Sequence, residues 1–242
     1  MTEPTSAVQP VREFKKYWSP LPEVGKAIAR LIPAGARVLE IGPGNAPFSR
    51  ATMFCGWQRP ATIEPQVFVT CDIQTTPLPF ADKEFDFVYC RHVLEDLYNP
   101  LFIAGEMSRV AKAGYAEIPS PLSEMMRGID AGSPPWRGYH HHRYFVWSNN
   151  GVLNVMGKYP IIEHFDTREE EFIALLGDQP MLWNSYHLWD GELITRHWQH
   201  DIDFQVAAAS YPDRIQAAIS EGIDGARRFW NDVVNPQLAQ SK

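Results

Sequence analysis

Between residues 37 and 118 short apolar runs alternate with helix-like stretches, and this alternation limits the fold more than any other feature of the chain. Arg37-Val-Leu-Glu-Ile41 reads as a strand and runs straight into Gly42-Pro43-Gly44-Asn45. Val67–Ile73, which carries Asp72 near its end, and Phe85–Cys90 read as further strands, the latter apolar enough to be buried on both faces. Asn99 and Pro100 open a helix whose Leu101, Ala104, Met107, Val110 and Ala111 keep helical spacing, with Gly114 as its expected stop. Tyr115–Ile118 is the next strand. Upstream, Ser19 and Pro20 signal the start of a helix with Val24, Ala27, Ile28 and Leu31 on one face, ended by Pro33 and Gly35. Strands alternating with helices predict an α/β fold in which a parallel sheet is wound by crossover helices.

Composition removes several alternatives. The chain has 242 residues, 45% of them apolar and 21% charged, which excludes a disordered or collagen-like polymer. No apolar run approaches the ~18 residues of a membrane span, and residues 1–10 lack a signal-peptide pattern. Cys55, Cys71 and Cys90 are too few for a disulfide framework, so the cytoplasm is the expected compartment. A net charge of −7 argues against nucleic acid as a partner.

Beyond residue 120 the character changes: six of eight tryptophans and seven of eight histidines lie in 136–230. Asp190-Gly191 predicts a hairpin between 183–189 and 192–198. Ser210 and Asp213 stand at capping-box spacing before a last helix, its apolar face running from Ile215 to Val233 and its end set by Pro236.

The chemistry concentrates in Glu40–Glu95. Gly42 and Gly44 after a buried strand let the backbone turn tightly beside a ligand, but Pro47 stands where the dinucleotide fingerprint needs a third glycine. Downstream come Leu78-Pro79-Phe80, Phe85-Asp86 and His92-Val93-Leu94-Glu95. Together with Val38–Gly44 this order and spacing resembles the class I S-adenosylmethionine-dependent methyltransferases over residues 37–120. The resemblance implies a Rossmann-like, seven-stranded, mostly parallel sheet with helices on both faces, plus an aromatic-rich C-terminal elaboration. It also implies S-adenosylmethionine as cofactor, with Glu40, Gly42, Gly44 and Asn45 around its methionine and ribose side. Asp72 and the Ile73 backbone would meet the adenine, and Cys90, Arg91 and His92 would line the sulfonium. The family's acid at the end of the second strand has no counterpart: Gly56 and Trp57 stand there.

On the acceptor side, His92 is the candidate base, because histidine titrates near neutral pH. Arg137–Arg143, with Tyr139, His140 and His142 as substrate-binding candidates, is expected to form a cationic, aromatic lip on a loop or strand. No metal is expected: three consecutive histidines cannot all face one ion on a strand, and no Cys/His pair stands at zinc spacing. The expected reaction is in-line methyl transfer to an oxygen or nitrogen of a small molecule. The rivals are a degenerate methyltransferase-fold module serving a partner subunit and a nicotinamide-dependent oxidoreductase. The expected organisation is an arm at 1–18, a cofactor-binding core at 19–120, sheet completion and a substrate lid at 121–209, and a helix at 210–242. That last helix packs on its own domain or in a homodimer; no membrane partner is expected.

Overall fold

The computed structural model describes residues 21–130, 135–198 and 204–240; the expected cap at Ser19 and Pro20 lies outside them. Helix α1 (Pro22–Leu31) buries Val24, Ala27 and Ile28. Strand β1 (Val38–Ile41) is fully buried. Next come β2 (Met53–Gly56), β3 (Phe68–Thr70), β4 (Phe85–Arg91), helix α2 (Pro100–Val110) and β5 (Ala111–Pro119). A short α3 (Pro121–Glu124) leads to β6 (Tyr144–Asn149) and β7 (Val152–Gly157). The chain ends with α4 (Glu169–Asp178), β8 (Asn184–Asp190), β9 (Ile194–Trp198), the long α5 (Phe204–Phe229) and α6 (Asn235–Ala239).

The main sheet runs β3-β2-β1-β4-β5-β8, parallel except for β8, which pairs antiparallel with β5. The expected α/β, Rossmann-like sheet is present, with six strands among the described residues instead of seven. The first β-to-β connection holds no helix, because residues 42–52 are too few for a helical crossover. Helices cover both faces. Val24 and Ile28 of α1 and Ile215, Ala218 and Ala226 of α5 pack with Val38, Phe87, Tyr89 and Tyr115. On the other face Ile103 and Met107 of α2 pack with Leu39, Ile41, Val88 and Cys90.

Three expectations give way to tertiary context. Gly114 does not stop α2, which ends at Val110; it sits inside β5, where a Cβ would come 2.3 Å from the Trp189 ring and 2.6 Å from Val88 Cγ1. Asp190-Gly191 makes no hairpin. β8 joins the main sheet, whereas β9 leaves it to pair parallel with β7 in a second sheet, β6-β7-β9. The hairpin of that sheet turns at Asn150 (φ 49°) and Gly151 (φ 74°), two consecutive left-handed residues as a type I′ turn requires. Finally, α5 begins before Ser210, so no capping box opens it, and Pro236 falls in the first turn of α6 without ending the helical run. None of the helices is long and apolar enough to cross a membrane, among the described residues.

Candidate active site

In a parallel sheet, residues paired across strands share a face, and the pairs Glu40↔Tyr89, Tyr89↔Tyr115 and Arg91↔Glu117 set one row of side chains pointing the same way. Glu40 is buried at the end of β1, where its Oε2 accepts from the Phe48 amide at 2.8 Å. Burial pushes its carboxyl up to about 7, against the opposing pull of that amide and of the Arg91 guanidinium. The Phe48 ring stacks on Tyr89, centroids 4.1 Å apart, and closes the apolar side of this row.

Gly42 holds φ 67° and donates its N–H to the Cys55 carbonyl at 2.9 Å. A Cβ there would meet Val93 Cγ2 at 2.5 Å, so only glycine fits the turn. Gly44 and Asn45 are exposed, and a Cβ on Gly44 would meet nothing within 4 Å. The backbone is therefore open to a ligand at the carboxyl end of β1, where open α/β sheets bind theirs.

β4 delivers the other wall. Cys90 is fully buried, and burial drives its thiol upward, so it is a neutral lining group. Arg91 places Nε 3.2 Å from Glu117 Oε1, while its buried Nη2 has no hydrogen-bond partner among the described residues. Glu117 is itself buried and accepts from the Tyr115 hydroxyl (2.8 Å) and Asn184 Nδ2 (3.0 Å). His92 leaves the strand in the left-handed region (φ 52°) and donates its N–H to the Glu117 carbonyl at 2.8 Å. Its Nδ1 lies 3.5 Å from Glu95 Oε1, and burial keeps the ring neutral, well below the usual histidine range.

Asp72 and Ile73 follow β3, two strands away from β1. Ile73 is buried. The Asp72 carboxylate accepts from the Thr75 hydroxyl (2.6 Å) and the Gln74 amide (3.0 Å), which hold it below the usual range. Gly56 closes β2 and Trp57 beyond it is exposed, so no acid stands there.

Of the expected loop or strand, the segment 137–143 takes the loop, with a turn at His140–His141, and its members diverge. Arg137 points inward and clasps the carbonyls of Met125, Ile162 and Phe165, so it is no part of a cationic lip. Arg143 is exposed, with its guanidinium 3.9 Å from the centre of the Tyr98 ring. His140 turns to Asp130. His142 is buried, its Nδ1 2.6 Å from Glu124 Oε1, and the half-buried Tyr139 lies with its ring 4.7 Å from the His142 ring. Thus β1 and β4 unite Glu40, Gly42, Gly44, Asn45, Cys90, Arg91 and His92. His142 is near enough to His92 for its charge to act there, and His140 belongs to a separate pair.

Sequence reasoning gave no role to Glu124, Glu117 or Glu95, all buried. Burial raises the Glu124 carboxyl, but the Lys158 and His142 charges overcome this and hold it at about 2. Its one local signal was an acid in the otherwise uncharged stretch Ile118–Met126.

Residues 25–115 match the family model of the methyltransferase domain. This segment is thus similar to a methyltransferase domain over a little more than a third of the chain. Among solved structures, an S-adenosylmethionine-dependent methyltransferase from Mesorhizobium loti is similar at 17% identity and TM-score 0.35, over 44% of this chain and 59% of that one. A second from Thermotoga maritima stands at 16% and 0.31, over 40% and 52%. The YcgJ protein from Bacillus subtilis stands at 20% and 0.31, over 40% and 50%. The chain thus spans between 50% and 59% of the length of these proteins. No curated protein matches it.

The methyltransferase resemblance implies S-adenosylmethionine as the cofactor. The residues fit its amino-acid end: a buried carboxyl, a buried guanidinium nitrogen without an acceptor, and a glycine turn with open space before it. At the adenosine end, each Asp72 oxygen already accepts one bond and keeps one lone pair to offer.

Proposed function

We propose that the protein transfers a methyl group from S-adenosylmethionine to an oxygen or nitrogen of a small acceptor. The observation that carries this reading is buried Glu40 at the end of β1, just before the glycine turn and close enough to feel the Arg91 charge, together with an Arg91 Nη2 that has no hydrogen-bond partner among the described residues. A zwitterionic amino-acid group satisfies both: its ammonium pairs with Glu40 and its carboxylate with Arg91, in a partly dry cleft where such pairs are stronger than in water. Gly42, Gly44 and Asn45 bring backbone close to the same end. Asp72 and the Ile73 backbone take the adenine.

When bound, the cofactor supplies an electrophilic methyl group on a cationic sulfonium. The chain's task is alignment and exclusion of water, and orientation alone can lower such a barrier by ~7–11 kcal/mol. Cys90 lines the reacting end without charge. His92, kept neutral by burial, accepts the proton of an acceptor hydroxyl or ammonium. Tyr139 and His142 flank the acceptor.

The test is transfer of an isotopically labelled methyl group to panels of small alcohols, phenols and amines. His92→Asn keeps the left-handed backbone, which asparagine tolerates, and removes the base. The expected result is a fall in kcat of ~10²–10⁴-fold for a hydroxyl acceptor with cofactor binding retained. An unchanged kcat would remove His92 from the reaction, and transfer to no member of the panels would contradict the proposal.

A further inference from the structure

We propose that Asp96, His141 and His142 form a binding site for one divalent transition-metal ion, with Glu124 positioning His142. The ligand atoms converge from two loops. Asp96 Oδ1 lies 3.6 Å from His141 Nε2 and 3.7 Å from His142 Nε2, and all three atoms lie within 4.8 Å of one another. Both distances exceed a hydrogen bond. They approach the spacing of about 3.3 Å that a tetrahedral ion with bonds near 2.0–2.1 Å imposes on its ligands.

The hydrogen-bond geometry makes the same point. His142 sits 2.6 Å from the Glu124 carboxylate through Nδ1, and a carboxylate only accepts, so Nδ1 carries a proton and Nε2 is the ring atom that faces Asp96 and His141. Glu124 is held in turn by Lys158 Nζ at 2.5 Å, and Lys158 also donates to the Tyr139 carbonyl at 2.8 Å. A carboxylate fixing the second nitrogen of a histidine is the arrangement that orients metal-bound imidazoles. Gly138 (φ 60°) is part of the support: a Cβ there would lie 2.2 Å from Glu124 Oε2.

Glu95, next to Asp96 in the chain, is 1% exposed, and neither of its carboxyl oxygens has a hydrogen-bond partner among the described residues. Two imidazoles and one carboxylate suit zinc and other late divalent ions, with one position left for water or an acceptor oxygen. The neighbouring trio of Asp130, His140 and His141 is less suited, because Asp130 and His140 are already in direct contact. The objection that three consecutive histidines cannot share an ion assumed a strand; on this turn only His141 and His142 need to converge.

The experiment uses the full untagged chain, stripped with a chelator and titrated by calorimetry with Zn²⁺, and with Co²⁺ followed by absorption. One equivalent of Zn²⁺ is expected to bind, and Co²⁺ to give the intense visible bands of a four-coordinate site. Asp96→Asn and His141→Ala change exposed side chains, so folding should survive and is checked by thermal unfolding. Each is expected to weaken Zn²⁺ more than tenfold, while Asp130→Asn leaves affinity unchanged. Absence of one-site binding, or equal affinity in Asp96→Asn and His141→Ala, would overturn the proposal. Loss in Asp130→Asn alone would do so too, by assigning the ion to the other trio. S-adenosylmethionine enters no arm, so the outcome is independent of the cofactor reading.

Discussion

Glu40 is the residue on which the cofactor reading turns, and its burial has two consequences that can be measured. The folded carboxyl sits at about 7 against an ordinary value of 4.5. Between those values the folded protein holds a proton that the unfolded chain has released, so stability falls as pH rises through that window. The fall amounts to about 3 kcal/mol, and Glu40→Gln should remove it from chemical denaturation series run between roughly pH 4.5 and 7. A cationic ammonium favours the ionised form. Affinity for S-adenosylmethionine should therefore strengthen about tenfold per unit as pH rises toward 7, then level off. A flat affinity profile would separate Glu40 from the ligand. Glu40 and Gly42 were legible because strand, acid and turn are consecutive in the chain. Glu117 and Glu124 were not, since the β4–β5 register and the four-residue α3 bring them to the site.

At the scale of elements, β5 shows how packing overrides local signals. Gly114 reads as a helix stop because glycine commonly ends helices, yet β5 needs it for room under Trp189. Gly114→Ala should cost about 1–3 kcal/mol by overpacking, measured by denaturant unfolding. Trp189→Phe removes the two ring atoms in contact but leaves Val88 Cγ1, so the double variant should recover part of that loss. A helix-stop role would show no such coupling. The strands β1, β4 and β5 were readable from their apolar runs, and Asn99 does cap α2, accepting from the Phe102 amide. The second sheet was not: the type I′ turn at Asn150-Gly151 carries the right residues, but the Asp-Gly pair at 190–191 offered a competing signal of equal local strength. Only the pairing of β8 with β5 decides between them.

Across the whole molecule, α5 ties the two sheets together. Phe229 stacks on Tyr186 of the main sheet at 4.8 Å, Glu221 accepts from Trp147 Nε1 of the second at 2.8 Å, and Gly225 lies against the Ser148 carbonyl. The aromatic concentration after residue 136 is thus largely core, as the burial of Trp147 and Trp189 shows. A cavity of about 670 Å³ lies beside Ala36, Asp86, Lys112 and Asp190, at the opposite end of the strands from Glu40 and His92, and has no part in this account. The most direct test of cofactor binding at the glycine turn is calorimetric titration of the protein and of Gly44→Trp with S-adenosylmethionine, S-adenosylhomocysteine and NAD. A Cβ on Gly44 meets nothing within 4 Å among the described residues, so the variant is expected to fold, which thermal unfolding checks, and to place its ring at the glycine turn. Micromolar binding of the first two ligands, none of NAD, and loss of both in the variant are expected. Silence toward all three ligands, or undiminished binding in Gly44→Trp, would contradict cofactor binding at that turn.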